Sequence, residues 1–374
     1  MNKVVVPSNR IRNRLLSLGA MLLSMLPGGR RSSTPRNILV LRLGNLGDMI
    51  VAMPAFRALR RRFPDARFTL LTSPTRRGMP GAAELLEHDP LFDEIIVYYI
   101  DESSRLRFLH GLSRRIAGIK IDMAVAVPNH LTRFSHLAKY ELLLAWSGVR
   151  RFAGFQMVEP AEYELRQVDR LLNLLSPLGI DRAAAIPFPW LTPGPEDDRS
   201  AELLLAPGQG RAFVAMHCGA KRPANRWAPE SFIEVGRRLI AEDNACIVLT
   251  GSSDEREMTA RVAAELGEHA INLGGQTPIG ILEAVLRRCR VALSNDTGVM
   301  HVAYAMGTPT VAIFSARFHP NIWYPYGDRQ IVLRKRIECE LCNKDICPKY
   351  AYPKCLELIS PDEVLEAVRR FLRK

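Results

Sequence analysis

Two short stretches of this sequence combine glycines with groups that bind anions or move protons. The first is Gly44-Asn45-Leu46-Gly47-Asp48, lying between an apolar run and a helical pattern. Glycines at a strand-to-helix turn let the backbone approach a ligand and aim free N–H groups at an anion. An acid is unexpected in such a cradle, which makes Asp48 stand out. Two roles fit it: a cap on the helix that follows, or a carboxylate that takes the proton of a bound hydroxyl. The second stretch is Asn295-Asp296-Thr297-Gly298, with His301 one turn further on. Asp296, Thr297 and Gly298 would open a helix with unpaired N–H groups, and His301 would lie on the side of Thr297. A diphosphate there would meet backbone donors and the Thr297 hydroxyl. A capped core helix with a buried histidine is the alternative.

A third loop, from Gly219 to Pro229, carries Lys221, Arg222, Asn225, Arg226 and Trp227 just before a helix opened by Pro229. Its cations suit a leaving diphosphate or a solvated basic turn, and Trp227 can pack the helix onto the sheet. Glu255 can accept hydrogen bonds from ribose hydroxyls or cap a helix. Cys339, Cys342, Cys347 and Cys355 form a C-x2-C-x4-C-x7-C cluster. The first pair has zinc-knuckle spacing and the second does not. Reduced thiols or a small loop around a structural zinc both fit, with no catalytic metal expected.

Positioning these loops requires strands that end beside one another. Apolar runs at residues 37–43, 67–71, 94–100 and 122–127 alternate with helical patterns, among them 48–62. The alternation resumes with 213–217, 246–250, 270–273, 291–294 and 310–314, and a last helix starts near Pro361. Continuous apolar strands separated by helices indicate an α/β protein, with parallel sheets covered on both faces and ligands at the carboxyl ends of the strands. Prolines at 177, 187, 189, 193, 195 and 207 interrupt the rhythm and suggest a linker. The division expected is a basic N-terminal arm (1–35), an acceptor-binding domain (36–190), a linker (191–210) and a donor-binding domain (211–374).

At 374 residues the chain has the length of two domains, and 47 % hydrophobic residues supply two cores. A net charge of +12 points to anionic partners. Nucleic acid is not expected, because interleaved aromatics and a recognisable module are missing. No Asp or Glu precedes Asp48, whereas Lys3, Arg10, Arg12, Arg14, Arg30, Arg31, Arg36 and Arg42 do. Ile11, Leu15, Leu18, Leu22 and Met25 fall at helical spacing within this region. The segment fits a helix lying on an anionic bilayer through residues 10–31, or a basic leader; a signal peptide lacks a convincing cleavage site.

Taken together, the loops resemble the heptosyltransferases of glycosyltransferase family 9, which act on lipopolysaccharide. The resemblance runs from about Asn37 to the C-terminus. It is carried by residues 43–54 (LGNLGDMIVAMP) and 295–309 (NDTGVMHVAYAMGTP), with support from Arg226-Trp227, Glu230 and the cysteine region. It implies a GT-B fold of two Rossmann-like domains facing a cleft, transfer from an ADP-sugar with inversion, and no required cofactor. Residue by residue, it implies Asp48 as base, Asp296, Thr297, Gly298 and His301 as the donor loop, and Glu255 at the ribose. The family often carries Lys at the position of Asn225, so Lys221 or Arg222 would supply that charge here. The implied partners are a nucleotide-sugar donor and a glycan or glycolipid acceptor, and the implied place is the cytoplasm, at the inner membrane. The competing expectations are a nucleotide-binding relative without turnover, or transfer of a different sugar.

Overall fold

The computed structural model describes residues 10–24, 34–74, 81–99, 106–129, 132–159, 162, 164–181 and 187–373. The remainder of the expected arm (1–9 and 25–33, with Met25, Arg30 and Arg31) and the end of the expected strand 94–100 lie outside them. The chain forms two compact units, residues 1–187 and 188–374.

The first unit contains α1 (Arg10–Ser24), β1 (Asn37–Leu43), α2 (Leu46–Ile50), α3 (Met53–Arg62), β2 (Arg67–Ser73) and α4 (Ala82–Leu85). It continues with β3 (Glu94–Val97), α5 (Leu106–Ile119), β4 (Met123–Ala126), α6 (Phe134–Trp146), β5 (Arg151–Ala153) and α7 (Gln167–Leu174). Its sheet is parallel, in the order β3-β2-β1-β4-β5. β1 is central and buried from Ile38 to Arg42, as its run of Ile38, Leu39, Val40 and Leu41 demands. Chain order reverses between β1 and β4, and a parallel α/β sheet opens a ligand crevice at that point.

The second unit contains α8 (Pro195–Leu205), β6 (Ala212–His217), α9 (Pro229–Asp243), β7 (Ala245–Leu249), α10 (Arg256–Leu266) and β8 (Ala270–Asn272). Then come α11 (Ile279–Arg288), β9 (Val291–Asn295), α12 (Gly298–Ala305), β10 (Thr310–Phe314), β11 (Gln330–Arg334), α13 (Lys354–Glu357) and α14 (Pro361–Leu372). The sheet is again parallel, β11-β10-β9-β6-β7-β8, and its order reverses between β9 and β6. The core joins Val214, Met216, Ile247, Leu249, Leu293 and Ile313 of the strands to Phe232, Val364 and Val368 of α9 and α14.

Three expectations need correction. The helix expected over 48–62 is two helices, α2 and α3, broken at Val51-Ala52. Pro54 has no N–H to continue the ladder and favours the first turn of a new helix. The linker expected over 191–210 is largely helix α8, and the units divide at Pro187/Phe188. Pro195 follows Gly194 and so falls at a helix start, where Asp197 Oδ2 accepts from the Gly194 N–H at 2.9 Å. Finally, β5 and β11 were not expected. Both are short edge strands with polar or basic flanks, and neither is fully buried.

Within the expected arm, α1 is a helix seated on α6 and β5. Leu16 enters the core of the first unit. Asn13 Nδ2 donates to the Met157 carbonyl (3.2 Å) and Glu159 Oε1 (2.6 Å), and Met157 N–H donates to Asn13 Oδ1 (2.6 Å).

Candidate functional site

At the reversal point of the first sheet, the loop after β1 turns through Gly44 at φ 140°. Only glycine suits this turn, since a Cβ there would come 2.5 Å from Asp48 Cβ. Asn45 is the N-cap of α2, and Gly47 and Asp48 lie in its first turn. Asp48 is therefore not the N-cap residue; it reaches back, its Oδ2 accepting from the Asn45 N–H at 2.9 Å. Its Oδ1 accepts from Asn129 Nδ2 in the loop after β4. Beneath it lies Arg42, fully buried on β1. Arg42 donates to the Asp48 carbonyl from Nε (3.0 Å) and Nη2 (2.6 Å), and to the Val127 carbonyl from Nη1 (2.9 Å). Arg42 Nη2 also stands 3.7 Å from Asp48 Oδ1. Burial lowers the Arg42 pKa, and the Asp48 charge opposes that shift. The Asp48 side chain remains 15 % exposed. A carboxylate fixed on two sides that keeps access to solvent is equipped to accept a proton.

The reversal point of the second sheet gathers the other loops. Asn295, at the end of β9, ties the loop after β6 in place: its Nδ2 donates to the carbonyls of Cys218 (2.8 Å) and Gly219 (3.2 Å), and its Oδ1 accepts from Trp227 N–H (3.0 Å). Asn225, buried, donates from Nδ2 to Asp296 Oδ2 at 2.9 Å and accepts from the Ser315 hydroxyl at 2.9 Å. Burial pushes the Asp296 carboxyl up to about 6, against the pull of Arg222, Arg317 and the Asn225 hydrogen bond. Thr297 is the N-cap of α12, Gly298 its first residue, and the Thr297 hydroxyl lies 3.4 Å from that of Ser294. His301 is buried against Trp323, and its Nδ1 is 3.2 Å from the Tyr304 hydroxyl. Burial lowers its pKa to about 3, so the ring is neutral near pH 7 and offers one N–H donor and one acceptor nitrogen.

The cations divide. Arg222 Nε (2.8 Å) and Arg317 Nη2 (2.9 Å) both bind Asp345 Oδ1, and Arg317 Nε donates to the Lys344 carbonyl (2.6 Å). Arg317 thus joins Arg222 in the electrostatic environment of Asp296. Lys221 is exposed, and Arg226 turns back to the Ala220 carbonyl at 2.7 Å. Glu255 does cap: its Oε2 accepts from the N–H (2.8 Å) and hydroxyl (2.9 Å) of Ser252. Its other oxygen lies over Gly219, where a Cβ would come within 1.8 Å of it. Trp227 is a packing residue, edge-on to Phe232 and bonded from Nε1 to the Ile359 carbonyl at 3.1 Å.

Cys339, Cys342, Cys347 and Cys355 are free thiols lining one cavity of about 30 Å³. Burial raises the Cys355 pKa, and neighbouring Cys339 and Cys347 add to the shift. Among the described residues, no three His, Cys, Asp or Glu side chains are arranged to hold a metal ion.

Asn129, Arg317 and Asp345 carry no local sequence mark of a role at these sites, and Arg42 carries little. The only signal was weak: Arg42 is a lone charge in an otherwise apolar strand.

The family model for glycosyltransferase family 9 (heptosyltransferase) matches residues 114–352. Lipopolysaccharide heptosyltransferase 2 of Salmonella typhimurium is 25 % identical over 355 residues, covering 90 % of this chain and 98 % of that protein. The crystal structure of a family 9 glycosyltransferase from Veillonella parvula matches with a TM-score of 0.73 at 22 % identity, over 90 % of this chain and 97 % of that one. Escherichia coli ADP-heptose lipopolysaccharide heptosyltransferase II matches at 0.67 and 22 %, over 90 % and 98 %. These likenesses show the fold, two parallel-sheet α/β domains of the GT-B type. With both reversal-point motifs in place and the family model spanning more than half its length, the chain belongs to glycosyltransferase family 9, the heptosyltransferases.

Proposed function

We propose that this glycosyltransferase moves a heptose from ADP-heptose to a hydroxyl of the lipopolysaccharide core, inverting the anomeric carbon without a catalytic metal. The observation that carries the reading is the held but accessible carboxylate of Asp48 at the first reversal point. Asp48 takes the acceptor's hydroxyl proton as the oxygen bonds to the anomeric carbon. The bond from that carbon to the diphosphate oxygen breaks in the same displacement, and ADP leaves with the electron pair. The charge gained by ADP meets the N–H groups opening α12 at Gly298, the Thr297 hydroxyl, and Arg222 and Arg317. Lys221 and Arg226 flank this diphosphate position, Asn225 holds Asp296 in place, and Glu255 receives the ribose beside Gly219. His301 donates a hydrogen bond from its neutral ring.

The charge expected from Lys at position 225 is here assigned to the Arg222–Arg317 pair. An acceptor of this kind is carried by a lipid, so we place the enzyme at the cytoplasmic face of the inner membrane, with α1 toward it. The test is Asp48→Asn assayed with ADP-heptose and core acceptor. Turnover should fall by about 10²–10⁴-fold while ADP-heptose affinity by calorimetry stays unchanged. Full turnover by the variant would remove Asp48 as base. Thermal stabilisation by UDP- or GDP-sugars, with none from ADP compounds, would remove the donor assignment.

A further inference from the structure

A helix on the surface of a soluble domain normally turns its apolar stripe inward. α1 does the opposite. Among its described large apolar side chains Leu16 alone is buried, with Asn13 half-buried beside it. The stripe Ile11, Leu15, Leu18 and Leu22 faces outward, 49–75 % exposed, with Met21 at its edge. Five of the twelve exposed large apolar side chains among the described residues therefore sit on one 15-residue helix. α6, the helix under α1, exposes Leu142 (67 %) and Trp146 (70 %) as well. Such a concentration marks an interaction surface, not chance exposure.

The charges select the partner. Arg10, Arg12 and Arg14 are all exposed on α1, and the helix has no acidic residue. Two such faces brought together would repel, whereas an anionic bilayer accepts both the arginines and the stripe. No described helix is long and apolar enough to cross a membrane, so the helix would lie in the headgroup plane. The seat is specific: the Asn13 amide is locked to Met157 and Glu159, which sets the rotation of α1 so that the stripe points away from the domain.

We infer that α1 is a rigid membrane-docking surface for anionic lipid, its outward stripe entering the bilayer while Leu16 and Asn13 hold it to the first unit. Its purpose rests on the reading of a lipid-borne acceptor, but its physics does not. The test is co-sedimentation of the full chain with phosphatidylglycerol/phosphatidylethanolamine vesicles and with phosphatidylcholine vesicles. Leu15→Glu with Leu18→Glu is compared against a control, Leu203→Glu, on the exposed face of α8.

Wild type and control should bind the anionic vesicles and release in high salt. The double variant should bind at least about tenfold more weakly, with unchanged melting temperature and unchanged turnover of a deacylated, water-soluble acceptor. Equal sedimentation of wild type and double variant, or none by wild type, would overturn the inference. So would a wild-type dimer that the double variant breaks without vesicle binding by either. Vesicle binding by a protein without turnover would support the surface and remove the transferase reading; turnover without vesicle binding would do the reverse.

Discussion

Asp48 is held by groups that are themselves held. Asn129 fixes one carboxylate oxygen, the Asn45 N–H fixes the other, and Arg42 anchors the backbone carbonyl of Asp48 itself. With Asp48 as the proposed base, these supports should matter for rate as well as stability. Arg42→Met would leave the Asp48 and Val127 carbonyls without their donor and remove a buried charge partner. A loss of ~3 kcal/mol in urea unfolding is expected, and a variant that unfolds like wild type would show that the anchor is unimportant. Beside the proposed donor loop the corresponding residue is Arg317, which acts on Asp296. Arg317→Met should weaken ADP binding about tenfold, the ~1.4 kcal/mol of one charge-assisted contact. Calorimetry showing unchanged affinity would return the diphosphate to Arg222 and Lys221.

At the scale of elements, the loops were legible and their partners were not. Glycines and acids after an apolar run announced the loops at Asp48 and Asp296, because strand-to-helix turns have a local grammar. Asn129 lies 81 residues from Asp48, and Ser315 lies 90 from Asn225. These pairs exist only because β4 lies beside β1, and β6 and β10 both flank β9, and strand order cannot be read from local pattern. The same limit hid α8: clustered prolines suggested a linker, yet Pro195 is the start of a helix. Caps were better signposted. Ser360 accepts from the Glu363 N–H at 3.3 Å, and Pro361 follows, as a helix start should read. Ser360→Ala should cost about 1 kcal/mol, measured by thermal melting. No change would mean that the buried face of α14 alone decides where that helix begins.

At the scale of the molecule, buried titratable groups give stability a pH dependence with two opposed parts. Glu141 of α6 is buried, and its Oε1 has no hydrogen-bond partner. It lies beneath α1, where a Cβ on Gly19 would come 3.7 Å from that oxygen. Burial raises its pKa from 4.5 to about 7. The folded state therefore holds this proton more tightly than the unfolded chain does. Its favourable contribution is complete below pH 4.5 and is lost as pH rises through 7. Asp296, raised to about 6, has the same sign. His301, lowered to about 3, has the opposite one: its contribution is complete above pH 6.5 and is lost as pH falls toward 3. Because the terms overlap, a wild-type melting curve alone cannot separate them, but a difference curve can. Glu141→Gln keeps the shape and removes the charge, so its melting temperature relative to wild type should climb between pH 5 and pH 8. A gain of about 2–4 °C at pH 8, absent at pH 5, is the expected size, read by calorimetry at matched ionic strength. A difference that is flat with pH would mean the carboxyl ionises as freely in the folded protein as in the unfolded chain, and α1 would then rest on an ordinary solvated acid.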